Sequence, residues 1–367
     1  MSRRNKSEDH SSVLKELKIS KVILPAIIGI AVVMYMMQRQ LHLEDLNSVQ
    51  WRDQAIFWVS MGILTYIIRH LFYAWRLKIV SDDEFSWLKA MQLIVIWEFS
   101  SAVSPTSVGG SAVAFLLISQ EKISAARTIA IVLYTMVLDT LFFIMTLIIL
   151  YFIYGPQIIR PGMVGLGDID GYGITFITVL LFMIGYGFLF FYGLFINPRS
   201  IKRIFIFVSK WRIMAKIRES MRNTAMDIET ASKQITTKPN KFHILAFTAT
   251  AGAWIMRFLV INCLILAFVP NIQNDFFDQM IIFSRGAVMY VVTAFSPTPG
   301  AAGVAEYLFG GFYSDYIPSG ISVIIAIVWR LITYYSYLLI GVIIIPIWLR
   351  QILARRSHKD EELDIIV

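Results

Sequence analysis

Residues 296–306 read Ser-Pro-Thr-Pro-Gly-Ala-Ala-Gly-Val-Ala-Glu, and residues 104–110 read Ser-Pro-Thr-Ser-Val-Gly-Gly, each inside an otherwise apolar stretch. Proline removes a backbone donor and clashes with the preceding turn, so a helix is expected to break at both places. At bilayer depth such a break has to line a cavity or be buried in protein, because lipid cannot hydrogen-bond the freed backbone. One break in each half of a chain is how many transporters build a binding site near the midplane.

Of the 367 residues, 57% are hydrophobic and 16% charged, which excludes a soluble globular protein. The apolar runs approach the ~20 residues that cross ~30 Å of hydrocarbon, and they lack the alternation of barrel strands. The fold class is therefore an all-α polytopic membrane protein. Full spans are expected at about 22–37, 54–75, 127–154, 173–196, 242–269 and 318–349. The two split regions, about 88–118 and 276–313, are expected as re-entrant half-helix hairpins. Eight full crossings are the alternative count. No cleavable signal peptide is expected, since the first apolar run begins only near Val22, behind a basic leader without a cleavage motif.

Charge sets the orientation. The net charge is +8, and the segment from Asn197 to Lys241 holds eleven Lys or Arg against three acids. With both termini inside, the outer connections contain only Arg39, Arg52 and Arg160, as the positive-inside rule requires. Three crossings then separate the two breaks, so the halves, about 54–196 and 242–350, are expected as inverted repeats. Spacing agrees: the following span starts 23 residues after Ser104 and 22 after Ser296. Residues 1–350 form one domain on this reading, 197–241 a cytoplasmic connector and 351–367 a tail. Within the connector, about 201–222 reads either as an amphipathic helix on anionic inner-leaflet lipid or as an ordinary solvated linker. Nucleic acid is not an expected partner, and a homo-oligomer is left open.

Six ionisable residues lie inside apolar segments: Glu98, Asp139, Arg257, Arg285, Glu306 and Arg330. A charge at the bilayer centre costs at least ~2.5–3.5 kcal/mol, so each needs a partner or a wet cavity. Two readings follow: the six converge on a midplane site, or they merely pair as struts. Arg330 heads a stripe with Thr333, Tyr334 and Tyr337, which offers donors to a polar headgroup. At the breaks, Thr298 can cap a half-helix that begins at Pro299, and Thr106 or Ser107 can cap the other. Helix N-termini attract phosphate and carboxylate. Ser104, Gly110, Ser296, Gly300 and Gly303 complete the expected substrate-binding set, the glycines allowing close backbone approach or plain helix packing. No metal and no cofactor is expected: the single Cys263 is apolar in context, and the five His have no ligand spacing.

The 296–306 stretch resembles the Pro-Gly-Gly-x-Gly-x-x-Glu signature of the lysylphosphatidylglycerol synthase transmembrane region, a flippase-like domain family. The likeness extends over about 20–350, with Pro105, Gly109, Gly110 and Asp139 at counterpart places in the first half. Members commonly carry an acid or Arg after the first glycine break and a Glu-Arg pair before the aspartate. Here Ser111, Ala114, Thr135 and Met136 stand there instead. The resemblance stops before any soluble aminoacyl-transferase domain. It implies a lipid flippase or lipid transporter of the bacterial cytoplasmic membrane, not an enzyme. The substrate would be a phosphate-bearing lipid, aminoacylated and polyprenyl lipids included. The alternatives are a secondary transporter of a small soluble anion and a membrane enzyme acting on a lipid phosphate.

Overall fold

The computed structural model describes residues 53–104, 115, 117–121, 123–210, 218–269, 272, 275–294, 296 and 298–365. The expected first span at 22–37 lies outside the described residues, as do Thr106, Gly110, Ser111 and Ala114. The described secondary structure is all helical, and five helices are long and apolar enough to cross a membrane: Gln54–Val80, Ala126–Tyr154, Gly173–Ile196, Asn240–Phe268 and Ile321–Ile352. They coincide with the other five expected spans.

The first half consists of α1 (Asp53–Val80), α2 (Trp87–Val103) and α3 (Ala125–Tyr154). Ser86 and Ser124 cap α2 and α3, their side-chain oxygens accepting from Lys89 N and Arg127 N. α2 stops where Pro105 dictates, since a residue before proline is pushed to extended backbone and Ser104 has φ −87°, ψ 137°. Next comes α4 (Gly171–Phe191), continued by a π-helical turn over Tyr192–Ile196. The second half runs α7 (Asn240–Phe268), α8 (Phe276–Thr293), α9 (Val304–Phe312) and α10 (Ser319–Arg330), then a π-helical turn (Leu331–Tyr335) leading into α11 (Ser336–Ile365). The tail expected after 350 thus begins as a continuation of this helix.

The halves match element by element. α1 and α7 have 28 and 29 residues, α2 and α8 have 17 and 18, and a break follows each short helix. α1 and α7 form the most extensive helix pair, and they are antiparallel. As α1 advances from Gly62 to Phe72, its neighbour on α7 retreats from Cys263 to Gly252. Small residues make this approach close: Ala246, Ala249 and Ala253 are fully buried, and a Cβ on Gly252 would stand 2.7 Å from Phe72. Opposite directions for equivalent helices are what inverted repeats require.

Each break is also tied off by an ion pair whose acid stands four residues before the next helix. Glu121 meets Lys89 at 2.6 Å and accepts from Trp348 Nε1 at 2.9 Å, and Asp315 meets Arg285 at 2.5 Å. In the connection before α4, Asp168 accepts from Gly165 N and Val164 N, donors that hold its carboxyl below the usual carboxylate range.

The connector differs from expectation. Instead of one helix over 201–222 there are two, α5 (Pro198–Ser209) and α6 (Arg218–Thr236), packed side by side. α6 buries Ile228, Ala231 and Ile235, one helical face, against α3. Ser232 Oγ donates to Leu194 O in the π turn at 2.5 Å. The connector is thus tied to the bundle through α6.

The antiparallel pair carries a direct test. An added Cβ at Gly62 would lie 3.5 Å from Cys263 Cβ, inside the ~3.5–4.5 Å range of disulfides. Gly62→Cys is expected to cross-link to the native Cys263 under a membrane-permeant oxidant, seen as two peptides joined across α1 and α7 in a non-reducing digest. A parallel or shifted pairing gives no cross-link.

Candidate functional site

Glu98, Asp139, Arg257 and Arg330 line one cavity of about 430 Å³ between the two halves. Both breaks open onto it, through Ala102 and Ser104 on one side and Ser296, Thr298 and Gly300 on the other. Tyr334 joins them: its hydroxyl donates to Ala102 O at 3.1 Å, and its ring occupies the space where a Cβ on Gly300 would sit, 2.0 Å from Cε2. Gly300 has φ +55°, so glycine is needed there on both counts.

The second break is shaped differently from the expected cap. Ser296 and Thr298 hydrogen-bond each other at 2.9 Å, a turn follows over 298–302, and the helix begins only at Val304. Its N-cap is Gly303, at φ 84°, whose N–H donates to Glu306 Oε2 at 2.7 Å. Thr298 and Pro299 therefore do not start the helix, and Glu306 serves as its cap. The other Glu306 oxygen meets Arg330 Nε at 2.8 Å, and both side chains are 8% exposed. Arg330 Nη2 donates to Gly300 O at 2.8 Å, and its guanidinium lies 4.0 Å above the Tyr334 ring. Glu306 and Arg330 thus clamp the break to α10. Tyr66 Oη donates to Thr333 O in the adjacent π-helical turn, joining α1 to it.

The remaining acids are likewise held. Glu98 meets Arg69 at 2.9 Å, and Asp139 meets Arg76 at 2.5 Å while accepting from Trp254 Nε1 at 2.8 Å. Arg69 and Arg76 are not among the six ionisable residues singled out from the sequence. The signal was present, for Tyr66, Arg69, Tyr73 and Arg76 recur at helical spacing on α1. Arg285, expected at the same site, lies elsewhere. It is 2% exposed and donates to Gln157 O at 3.0 Å, Phe312 O at 3.2 Å and Asp315. Gly303 and Glu306 are not among the residues that line the cavity.

Arg257 is the exception. Its guanidinium lies 5.0 Å from the Tyr290 ring centre and 5.6 Å from that of Trp254, with no ion-pair partner among the described residues. Four arginines line the cavity, and the three acids Glu98, Asp139 and Glu306 each engage one of the other three. One positive charge is left over. From α4, Phe182, Met183, Tyr186 and Phe190 add a largely apolar part to the lining.

The sequence profile described as "Lysylphosphatidylglycerol synthase TM region" matches residues 22–341. The chain belongs to this family. It is also similar to a UPF0104 membrane protein of Archaeoglobus fulgidus, 22% identical over 286 residues, which cover 74% of this chain and 81% of the relative. A multi-pass membrane protein is thereby supported by family and helices together. Within the family frame, Thr135 and Met136, standing where members commonly carry a Glu-Arg pair, line the cavity. The ion-pair contact to Asp139 comes from Arg76 of α1.

Proposed function

We propose that the protein carries a phosphate-bearing lipid between the leaflets of a bacterial cytoplasmic membrane, and that it acts as a transporter rather than an enzyme. The observation that carries this reading is Arg257, a cation in the cavity without a counter-ion among the described residues. A buried charge is stable only with a partner, and a phosphodiester supplies one negative charge to the one left over. The break backbones at Ser296–Gly300 offer polar groups to the rest of a headgroup. The apolar α4 wall favours an amphiphile over a small soluble anion, because acyl chains can stay against Phe182 and Phe190 while the head is inside. Inverted halves meeting at this cavity suit alternating access by rocking one half on the other.

In the membrane this reading sets α1 running inward and α7 outward, with the connector on the inner leaflet. There Arg199, Lys202 and Arg203 of α5, with Lys210 just after it, supply positive charge for anionic headgroups. Purified protein in vesicles containing labelled phosphatidylglycerol, phosphatidylethanolamine or a polyprenyl phosphate is expected to move at least one of these between leaflets faster than empty vesicles. Uptake of a water-soluble anion with no lipid movement would instead support the soluble-anion transporter.

A further inference from the structure

The polar groups of the cavity divide unevenly between donors and acceptors. Asp139 takes both of its bonds on one oxygen, for Arg76 Nη1 at 2.5 Å and Trp254 Nε1 at 2.8 Å both donate to Oδ1. Glu98 accepts from Arg69 through Oε2, at 2.9 Å. The second oxygens, Asp139 Oδ2 and Glu98 Oε1, accept nothing among the described residues. Neither is sealed off: the two side chains keep 27% and 23% exposure and line the cavity. Three hydroxyls of the lining have committed their protons. Ser101 Oγ donates to Trp97 O at 3.0 Å, Thr293 Oγ1 to Met289 O at 2.9 Å and Thr333 Oγ1 to Trp329 O at 2.7 Å. A hydroxyl so bound has only lone pairs left to offer. Against these acceptors stands one concentrated donor, the Arg257 guanidinium, which makes no hydrogen bond among the described residues. It is within electrostatic reach of Glu98, and Arg257, Glu98 and Asp139 all act on Tyr290.

We propose that the headgroup taken here is a monoanionic phosphodiester whose alcohol portion carries free hydroxyls, a glycerol or another polyol; this rests on the anion reading of Arg257. Complementarity decides each part. The phosphate oxygens accept from Arg257. What lies against carboxylate oxygens and committed hydroxyls has to donate, because acceptor facing acceptor leaves both unpaired. A plain alkyl head donates nothing and strands the two free carboxylate oxygens. An ammonium head does donate, and there charge decides. Glu98 and Asp139 are already balanced by Arg69 and Arg76, so a zwitterionic lipid of net charge zero leaves the charge of Arg257 unmatched. Neutral hydroxyls bring the donors and keep the single negative charge of the lipid. Discrimination of this kind is strong, since an analogue without the donors leaves polar groups of the site unpaired.

The test uses the full chain in detergent and follows Trp fluorescence, since Trp97, Trp254 and Trp329 line the cavity. Four ligands are compared. Dihexanoyl phosphatidylglycerol has the charge and the hydroxyls, dihexanoyl phosphatidylpropanol the same charge and nearly the same size without them. Dihexanoyl phosphatidylethanolamine has donors but no net charge, and glycerophosphoglycerol is the hydroxylated phosphodiester without chains. Phosphatidylglycerol is expected to bind at least about tenfold tighter than either other lipid, and glycerophosphoglycerol more weakly than phosphatidylglycerol. Arg257→Gln is expected to weaken both anionic lipids by a similar factor and so preserve their ratio. Equal affinity for phosphatidylglycerol and phosphatidylpropanol, both above phosphatidylethanolamine, overturns the hydroxylated head and leaves the anion reading standing. Phosphatidylethanolamine binding as tightly as phosphatidylglycerol, or no binding of any of the four, overturns both. An Arg257→Gln protein that loses phosphatidylglycerol but keeps phosphatidylpropanol overturns the placing of the phosphate on Arg257. Glycerophosphoglycerol as tight as the lipid keeps the headgroup chemistry and overturns its lipid source.

Discussion

Arg330→Met is expected to lower the unfolding free energy by about 3–5 kcal/mol, the usual result of removing one partner from a buried ion pair. Three losses coincide at this position. Glu306 is left as an uncompensated carboxylate at 8% exposure, Gly300 O loses its donor, and the Tyr334 ring loses the guanidinium stacked on it. Methionine fills much of the arginine stem volume, so the effect measures charge and hydrogen bonding more than a void. Unfolding in a dodecyl sulfate titration from mixed micelles would read it. Adding Glu306→Gln is expected to restore a good part of the loss, because the orphaned charge goes while glutamine can still accept from Gly303 N. A double variant as unstable as the sum of the two singles would show that the pair is not coupled, contrary to the geometry.

The membrane class and the two breaks were legible because the features that set them are local. Long apolar runs and Ser-Pro-Thr followed by small residues do not depend on the rest of the chain. Inversion was legible from counting spans and charges, and the antiparallel α1–α7 pair agrees with it. The partners of the membrane charges were not legible, because pairing is long-range. Asp139 finds Arg76 63 positions away, and Glu98 finds Arg69 across the α1–α2 turn. The sequence offered only three acids and three arginines inside apolar segments, a set that sums to zero without saying who pairs with whom. Thr298 had the right residue type for an N-cap, but the positive φ of Gly300, Ala301 and Gly303 continues the turn for one more winding before the helix begins. Tertiary clamping by Arg330 on Gly300 O makes that longer turn the stable one. Arg285 misled for a related reason: its place on α8 is beside Gly286, which lines the cavity, but neighbouring helix positions face different ways.

The three paired arginines and Arg257 should respond oppositely to the same substitution, which separates strut from binding residue. Arg69→Gln strands Glu98 in a region where Arg69 itself has no exposure, so a loss of about 3–5 kcal/mol in stability is expected. Arg257→Gln breaks no ion pair among the described residues; it gives up a longer-range attraction to Glu98 and its contacts over Tyr290 and Trp254, the latter worth about 1 kcal/mol. The fold should therefore survive. Anion binding should not: a hydrogen bond from a charged donor contributes ~1.5–3 kcal/mol, so affinity for a phosphodiester lipid is expected to fall roughly 10- to 100-fold. Lipid movement in vesicles should fall with it, and Arg257→Lys should recover part of both by restoring the charge without the planar donor set. Wild-type transport by a well-folded Arg257→Gln protein would remove the anion reading. Destabilisation equal to that of Arg69→Gln would make Arg257 a fourth strut, held by an acid outside the described residues. The two measurements on one variant thus decide whether the surplus charge belongs to the substrate or to the fold.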